Sequence, residues 1–262
     1  MLLTIDIGNT TTEWGLFSDG NPENYTLLES FRLATQKDSS SDEFILKLDS
    51  SLQMVGVQRS QIQHIICSSV VPPLDHVVSK MGEKYFKCKP HFVRSQDVMD
   101  IHIRYPHPEE IGADRLVNAN AAYYFYGIPA IIVDFGTATT ICVVTEKGEY
   151  IAGMIVPGVK SSLESLISKA SKLPPIELNI PDKLIGTSTI ESMQIGLFQY
   201  TVEAITGIIN KIKKEYDWEQ VQVIATGGVA KYVASGTPSI DVVDPILILK
   251  GLKRWYELNA RE

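Results

Sequence analysis

Two stretches of this chain place carboxylates, glycines and hydroxyls at a spacing suited to handling phosphate. Leu2–Thr12 reads Leu-Leu-Thr-Ile-Asp-Ile-Gly-Asn-Thr-Thr-Thr, and Ala130–Thr140 reads Ala-Ile-Ile-Val-Asp-Phe-Gly-Thr-Ala-Thr-Thr. In each, an apolar run ends in Asp-x-Gly, a hydroxyl-rich turn follows, and a second β-prone segment begins. Gly8 and Gly136 let the chain reverse tightly and bring backbone N–H groups close to a ligand. Gly8, Asn9, Thr10, Thr11 and Thr12 would donate from the first turn as a backbone nest, and Gly136 and Thr137 from the second. Thr139 and Thr140 would add further hydroxyls. Asp6 and Asp134 would sit at strand ends, able to orient a cation or its water shell. Asp6 suits magnesium held through water, because that ion dehydrates reluctantly. Either turn alone would pass for an ordinary β-hairpin with an Asp capping its turn. Occurring twice in matching context, they read as two jaws of a polyphosphate clamp.

The surrounding elements repeat as well. Apolar runs bounded by Gly read as buried strands. Residues 2–7, 12–17 and 25–33 form three strands, with turn chemistry at 18–21. Ser40-Ser41-Asp42-Glu43 is a capping box opening a helix with Phe44, Ile45, Leu48 and Leu52 on one face. A strand at 62–71, a helix from Pro72-Pro73 and a short strand at 90–93 follow. Residues 97–108 read as irregular, with Tyr105-Pro106 and His107-Pro108 opposing helix. Residues 109–115 lead into a helix ending near Gly127. The second half gives strands at 130–135, 140–144 and 150–155, the last two joined through Glu146-Lys147-Gly148. Helices at 158–173 and 188–216 follow, the second with Ile195, Phe198, Val202, Ile205 and Ile209 in register. A strand at 221–225 ends in Thr226-Gly227-Gly228, and a short helix, a strand at 240–243 and a helix at 245–258 close the chain. This internal repetition is the most informative feature of the sequence. Gly227 and Gly228 would let backbone approach a flat adenine face.

Composition narrows the function classes. At 262 residues, 44% hydrophobic and 21% charged, the chain has ample material for a core. A net charge of −7 argues against a nucleic-acid surface. Cys67, Cys88 and Cys142 are odd in number and widely spaced, so neither a disulfide framework nor a zinc site is indicated. An early acidic residue at Asp6 speaks against a signal peptide, and no apolar run approaches membrane length. A cytoplasmic protein without membrane or nucleic-acid partners is expected.

Taken together, the pattern resembles the acetate kinase, sugar kinase, Hsp70 and actin superfamily. That resemblance implies an α/β fold of two RNase H-like mixed-sheet lobes, each a duplicated β-β-β-α-β-α core, with a nucleotide cleft between them. The lobes are expected at 1–116 and 117–262. More narrowly, the chain is similar to the type III pantothenate kinases over almost its full length. The motifs are Asp6-Ile7-Gly8-Asn9-Thr10, Gly112-Ala113-Asp114-Arg115, Asp134-Phe135-Gly136-Thr137-Ala138-Thr139-Thr140, Pro157-Gly158, Thr226-Gly227-Gly228, and the junction Thr189–Gln194.

The family resemblance implies ATP-dependent phosphorylation of pantothenate, the first step towards coenzyme A. It also implies a homodimer and a monovalent cation, potassium or ammonium, beside magnesium. It implies that Asp6, Ile7, Gly8, Asn9, Thr10, Thr11, Thr12, Glu13, Thr137, Gly227 and Gly228 bind ATP, and that Asp134 holds the monovalent cation. Tyr105, Gly112, Ala113, Asp114, Arg115 and Thr189 are implied as substrate residues. Asp114 would be the general base, orienting the alcohol and taking its proton late in a loose transition state. Alone it could equally serve the dipole of a helix start. Arg115 would favour the ionised carboxylate and could bind the pantothenate carboxylate in bidentate fashion. Two departures stand out: Ser188 where the family commonly has Asn, and Glu13 where some members carry Lys. The alternatives are a catalytically inactive regulatory relative that retains nucleotide binding, another phosphotransferase or phosphatase of this fold, and a filament-forming protein.

Overall fold

The computed structural model describes residues 1–18, 26–127 and 129–259. Most of the turn expected at 18–21, and Tyr25 at the start of the expected third strand, lie outside the described residues. The chain forms two compact units, one of Met1–Asp100, Pro106–Ala121 and Leu247–Glu262, the other of Ile101–Tyr105 and Ala122–Ile246. This division differs from the boundary expected at 116/117. It falls inside helix α3 (Ala113–Tyr126), and the last helix, α7 (Leu247–Asn259), belongs to the first unit.

The first unit is built on β1 (Leu2–Ile7), β2 (Thr11–Phe17), β3 (Leu27–Ala34), β4 (His64–Ser69) and β5 (His91–Phe92), in the order β3-β2-β1-β4-β5. β1 pairs antiparallel with β2 and parallel with β4. Alternation along β1 explains its continuous apolar run. Leu3, Ile5 and Ile7 join a core with Phe44, Ile45, Leu48 and Leu52 of α1 (Ser41–Met54) and Leu74, Val78 and Met81 of α2 (Pro72–Met81). The opposite face needs its own cover, and α7 supplies it. A Cβ on Gly15 would lie 3.0 Å from both Leu249 Cδ1 and Thr4 Oγ1. α7 in turn sits on α3, where a Cβ on Gly251 would come 2.6 Å from the Val117 carbonyl oxygen. The capping box expected at Ser40 is present, with Ser40 Oγ accepting from the Glu43 N–H and the Glu43 carboxylate accepting from the Ser40 N–H.

The second unit carries β6 (His102–Ile103), β7 (Ala130–Phe135), β8 (Ala138–Val144), β9 (Glu149–Pro157), β10 (Gln222–Thr226) and β11 (Val242–Val243), ordered β11-β10-β7-β8-β9-β6. Without β6 this is the order and strand sense of the first sheet. The expected duplication is therefore realised strand for strand. The segment 97–108 is not wholly irregular: His102–Ile103 pairs in parallel with Glu149–Tyr150. Two residues give too short a run for periodicity to register. Helix α4 (Val159–Lys169) stops before the expected 173. Helix α5 (Thr189–Glu215) places Phe198, Val202, Ile205, Ile209 and Ile212 in one core with Ile131, Val133 and Phe135 of β7, and buries Ile195 as well. A short helix, α6 (Ala230–Ala234), follows β10.

Candidate active site

The first Asp-x-Gly turn joins β1 to β2. Gly8 N–H donates to the Thr11 carbonyl at 3.0 Å, and a Cβ on Gly8 would lie 2.9 Å from that oxygen. The turn is then gripped by Thr35, the residue after β3. Thr35 N–H donates to Thr10 O at 2.9 Å, and Thr35 Oγ1 donates to Gly8 O at 2.7 Å. Thr12 Oγ1 lies 2.9 Å from Thr35 Oγ1. A carbonyl only accepts, so the Thr35 proton goes to Gly8 and Thr12 must donate to Thr35. Thr12 is buried, and its hydroxyl proton is committed to holding the turn. Burial and this bond give the Thr12 side chain a supporting place in the turn, apart from the backbone N–H expected to meet phosphate. Asn9 and Thr10 are exposed at the tip, and Lys37 Nζ donates to Asn9 Oδ1 at 3.0 Å.

Glu13, expected among the nucleotide residues, is buried and bound by Arg32, whose Nε and Nη2 reach Oε2 at 2.9 and 2.6 Å. Asp6 pairs with Glu13 across β1 and β2, and Glu13 with Arg32 across β2 and β3. Cross-strand partners share a face, so Arg32 offsets a carboxylate that would otherwise repel the one on Asp6. The Glu13 carboxylate is thus held in an ion pair with Arg32 across β2 and β3. Ile7 is a core side chain whose carbonyl accepts from Val70 N–H at 3.0 Å.

Asp114 lies in the first turn of α3. The carbonyl of Gly112 opens that helix, accepting from Arg115 and Leu116 N–H at 3.1 and 3.3 Å. Asp114 Oδ1 accepts from Arg115 N–H at 2.8 Å. A Cβ on Gly112 would stand 2.5 Å from Asp114 Oδ1 and 3.6 Å from Val70 Cγ1. Only glycine leaves this seat for the carboxylate. Because Val70 is tied to Ile7, the seat lies at the carboxyl ends of β1 and β4, the end of the sheet from which the first turn projects. Removal from water pushes the Asp114 carboxyl above its ordinary value, while the Arg115 N–H and guanidinium pull it back. Ala113 is buried at the helix start.

In the second unit, Gly136 and Thr137 connect β7 to β8. Thr137 O accepts from Gly158 N–H at 3.1 Å and from Ser161 Oγ at 2.9 Å. Gly158 is the N-cap of α4, and a Cβ there would fall 2.4 Å from the Gly136 and Thr137 carbonyl oxygens. Thr139 is buried and Thr137 exposed, so Thr137 presents this turn's tip. Asp134 is half-buried opposite Thr140 and Thr226. Gly227 has φ +91, and a Cβ on it would lie 2.6 Å from both Asp134 Oδ1 and the Phe135 carbonyl oxygen. The structure thus places Gly227 against the carboxylate expected to hold a cation, with exposed Gly228 beside it.

Thr189 opens α5. Ser188 caps that helix, accepting from Glu191 N–H at 3.2 Å, so the departure from Asn retains a good capping residue. Hydrogen bonds from Lys183 and Thr187 hold the Glu191 carboxyl down at about 2. Thr189 lines a groove of about 820 Å³ with Ser162, Leu166, Met193 and Tyr200. Tyr105 is half-buried just beyond β6, and belongs with Thr189 to the second unit. Gly112–Arg115 belong to the first. Thr35, Arg32 and Lys37 were not found from sequence. They come from no motif: pairing of β2 with β3 sets Arg32 opposite Glu13, and hydrogen bonds from the segment after β3 bring Thr35 and Lys37 to the turn.

The family profile described as type III pantothenate kinase matches residues 2–211. A type III pantothenate kinase of Halalkalibacterium halodurans is 43% identical over 260 residues, covering 99% of this chain and 100% of that protein. One from Bacillus cytotoxicus is 42% identical, covering 99% and 97%. Among solved structures, one described as a 2-dehydro-3-deoxygalactonokinase protein from Sinorhizobium meliloti aligns with TM-score 0.62 at 10% identity, over 98% and 96% of the two chains. One described as a Baf family transcriptional activator from Campylobacter jejuni aligns with TM-score 0.55 at 19% identity, over 97% of each chain. At those identities the structures speak to fold alone.

Proposed function

This chain belongs to the type III pantothenate kinase family, and from that premise we propose that it catalyses ATP-dependent phosphorylation of pantothenate to 4'-phosphopantothenate. The observation that carries the mechanism is the seat of Asp114: a carboxylate at the carboxyl end of the first sheet, positioned by a glycine that no other residue can replace without displacing it. Asp114 accepts the hydroxyl hydrogen bond and then the proton. In a loose transition state the proton leaves late, so orientation counts for more than basicity. Arg115 pairs with the pantothenate carboxylate, and Tyr105 and Thr189 contact the rest of the acceptor.

The two turns bind phosphate oxygens through backbone N–H groups, with Asn9, Thr10 and Thr137 at their exposed tips. Magnesium, bound through Asp6, would neutralise charge on the phosphates. Asp6 fits that role as a half-buried carboxylate at a strand end, a hard oxygen donor suited to an ion that keeps much of its water. The Asp134 carboxylate and the Phe135 carbonyl both face Gly227, and two such oxygens suit potassium or ammonium.

A homodimer is part of the same reading. The second unit exposes Met154 and Ile155 on β9, Leu166 on α4 and Ile190 and Tyr200 on α5, the kind of apolar surface that subunit association covers. A cytoplasmic location is part of the same reading, and Cys67, Cys88 and Cys142 form no disulfide. Among the described residues no helix is long and apolar enough to cross a membrane.

The test is a coupled ADP-release assay with pantothenate, with and without potassium, on the wild type and Asp114→Asn. Turnover should require pantothenate and the cation and fall by about 10²-fold or more in the variant. A wild type that binds ATP and stays inert would establish the regulatory alternative instead.

A further inference from the structure

Thr35 and Lys37 lie outside every phosphate motif of the sequence, yet the first turn is fastened to them. Thr35 holds two of its carbonyls, Gly8 O at 2.7 Å and Thr10 O at 2.9 Å. In a trans peptide, a C=O and the N–H of the following residue point in opposite directions. Fixing these two carbonyls towards Thr35 therefore turns the N–H groups of Asn9 and Thr11 away from it. Those amides are among the donors a phosphate would meet. The segment doing this is braced. Ser39 N–H bonds back to Gln36 O at 3.2 Å, and Ser40 starts the capping box of α1. Residues 8–12 contain neither Lys nor Arg, and the nearby Glu13 and Arg32 neutralise one another. Lys37 brings an ammonium to the tip by donating to Asn9 Oδ1 at 3.0 Å.

We propose that Thr35 and Lys37 are positioning residues of the phosphate turn, Thr35 by aiming its amides and Lys37 by supplying, through Asn9, the positive charge that the turn's own sequence lacks. The proposal rests on the reading that this turn holds the phosphates of ATP. It accounts for how a chain with Glu at position 13 keeps a cation beside them.

The test measures ATP binding by calorimetric titration without pantothenate, alongside KM for both substrates and the melting temperature. The variants are Thr35→Val, Thr35→Ser and Lys37→Met. Thr35→Val should weaken ATP binding about tenfold, as expected from releasing the Gly8 and Thr12 bonds. Thr35→Ser should restore most of it, and the pantothenate KM should hold in both. Lys37 is exposed, so Lys37→Met should leave melting unchanged. It should weaken ATP binding several-fold at low salt and flatten the salt dependence. If Thr35→Val melts lower but binds ATP as the wild type does, or Lys37→Met keeps both affinity and salt dependence, the proposal is overturned. Because ATP binding is read separately, a wild type that binds ATP without phosphorylating pantothenate sinks only the acceptor reading. A wild type that binds no ATP overturns both.

Discussion

Asp114 shows how one carboxylate is fitted for two opposing demands. Burial lifts its pKa above the ordinary 3.8, which strengthens it as a base, and Arg115 keeps part of the ionised form. The rate should therefore fall on the acid side at a pH above that of an ordinary carboxylate, and this limb should be absent from any residual activity of Asp114→Asn. Stability follows with a definite sign. A group whose folded pKa is raised binds its proton more tightly when folded, so its contribution is present at low pH and is lost as pH rises through the folded value. At neutral pH the ionised, desolvated carboxylate is thus a net cost. Asp114→Asn should lose roughly 10²-fold or more in kcat while melting no lower than the wild type at pH 7. A clear drop in melting temperature would contradict the burial account. Gly112→Ala makes the complementary case. Its Cβ would stand 2.5 Å from Asp114 Oδ1, so kcat should fall at least about tenfold with a stability loss of only about 1 kcal/mol. Thermal melts paired with initial rates would check both.

Among the elements, the paired turns differ in how they are held. The first is held from the strand side by Thr35, the second from the helix side by Gly158, which approaches two of its carbonyls too closely for any Cβ. Gly158 has an ordinary φ of −65, so its requirement is space rather than a left-handed backbone. Gly158→Ala should accordingly displace the second turn, raise the KM for ATP roughly tenfold or more, and cost about 1–3 kcal/mol of stability through overpacking. An unchanged KM would mean that this turn does not meet the nucleotide. Gly227 is a different case. With φ +91 and the Asp134 carboxylate against it, Gly227→Ala combines backbone strain of about 1–2 kcal/mol with displacement of Asp134. The potassium concentration for half-maximal rate should rise, which a titration of the cation would read directly.

At the level of the molecule, the two sheets share one strand order, and the second adds β6 at its edge. Ile155 on β9 is 63% exposed and Tyr200 on α5 is 74% exposed, large values for apolar side chains in the middle of regular elements. Sedimentation should find two copies per particle, and Ile155→Glu together with Tyr200→Glu should shift it towards one. A wild type that sediments as a single copy at micromolar concentration removes the dimer from the account. The duplicated α/β plan, both Asp-x-Gly turns and the Gly112–Arg115 helix start were legible in the linear chain. Each is written in local terms, as a run of apolar residues, a glycine or a capping residue within a few positions. The return of α7 to the first unit, the pairing of His102–Ile103, the commitment of Thr12 and Glu13 to Thr35 and Arg32, and the placing of Gly227 against Asp134 were not legible there. Each depends on residues from about twenty to more than two hundred positions apart in the chain, joined by strand pairing and by the need to cover a second face of the sheet. Those partners are chosen when the chain packs, and no local pattern records the choice.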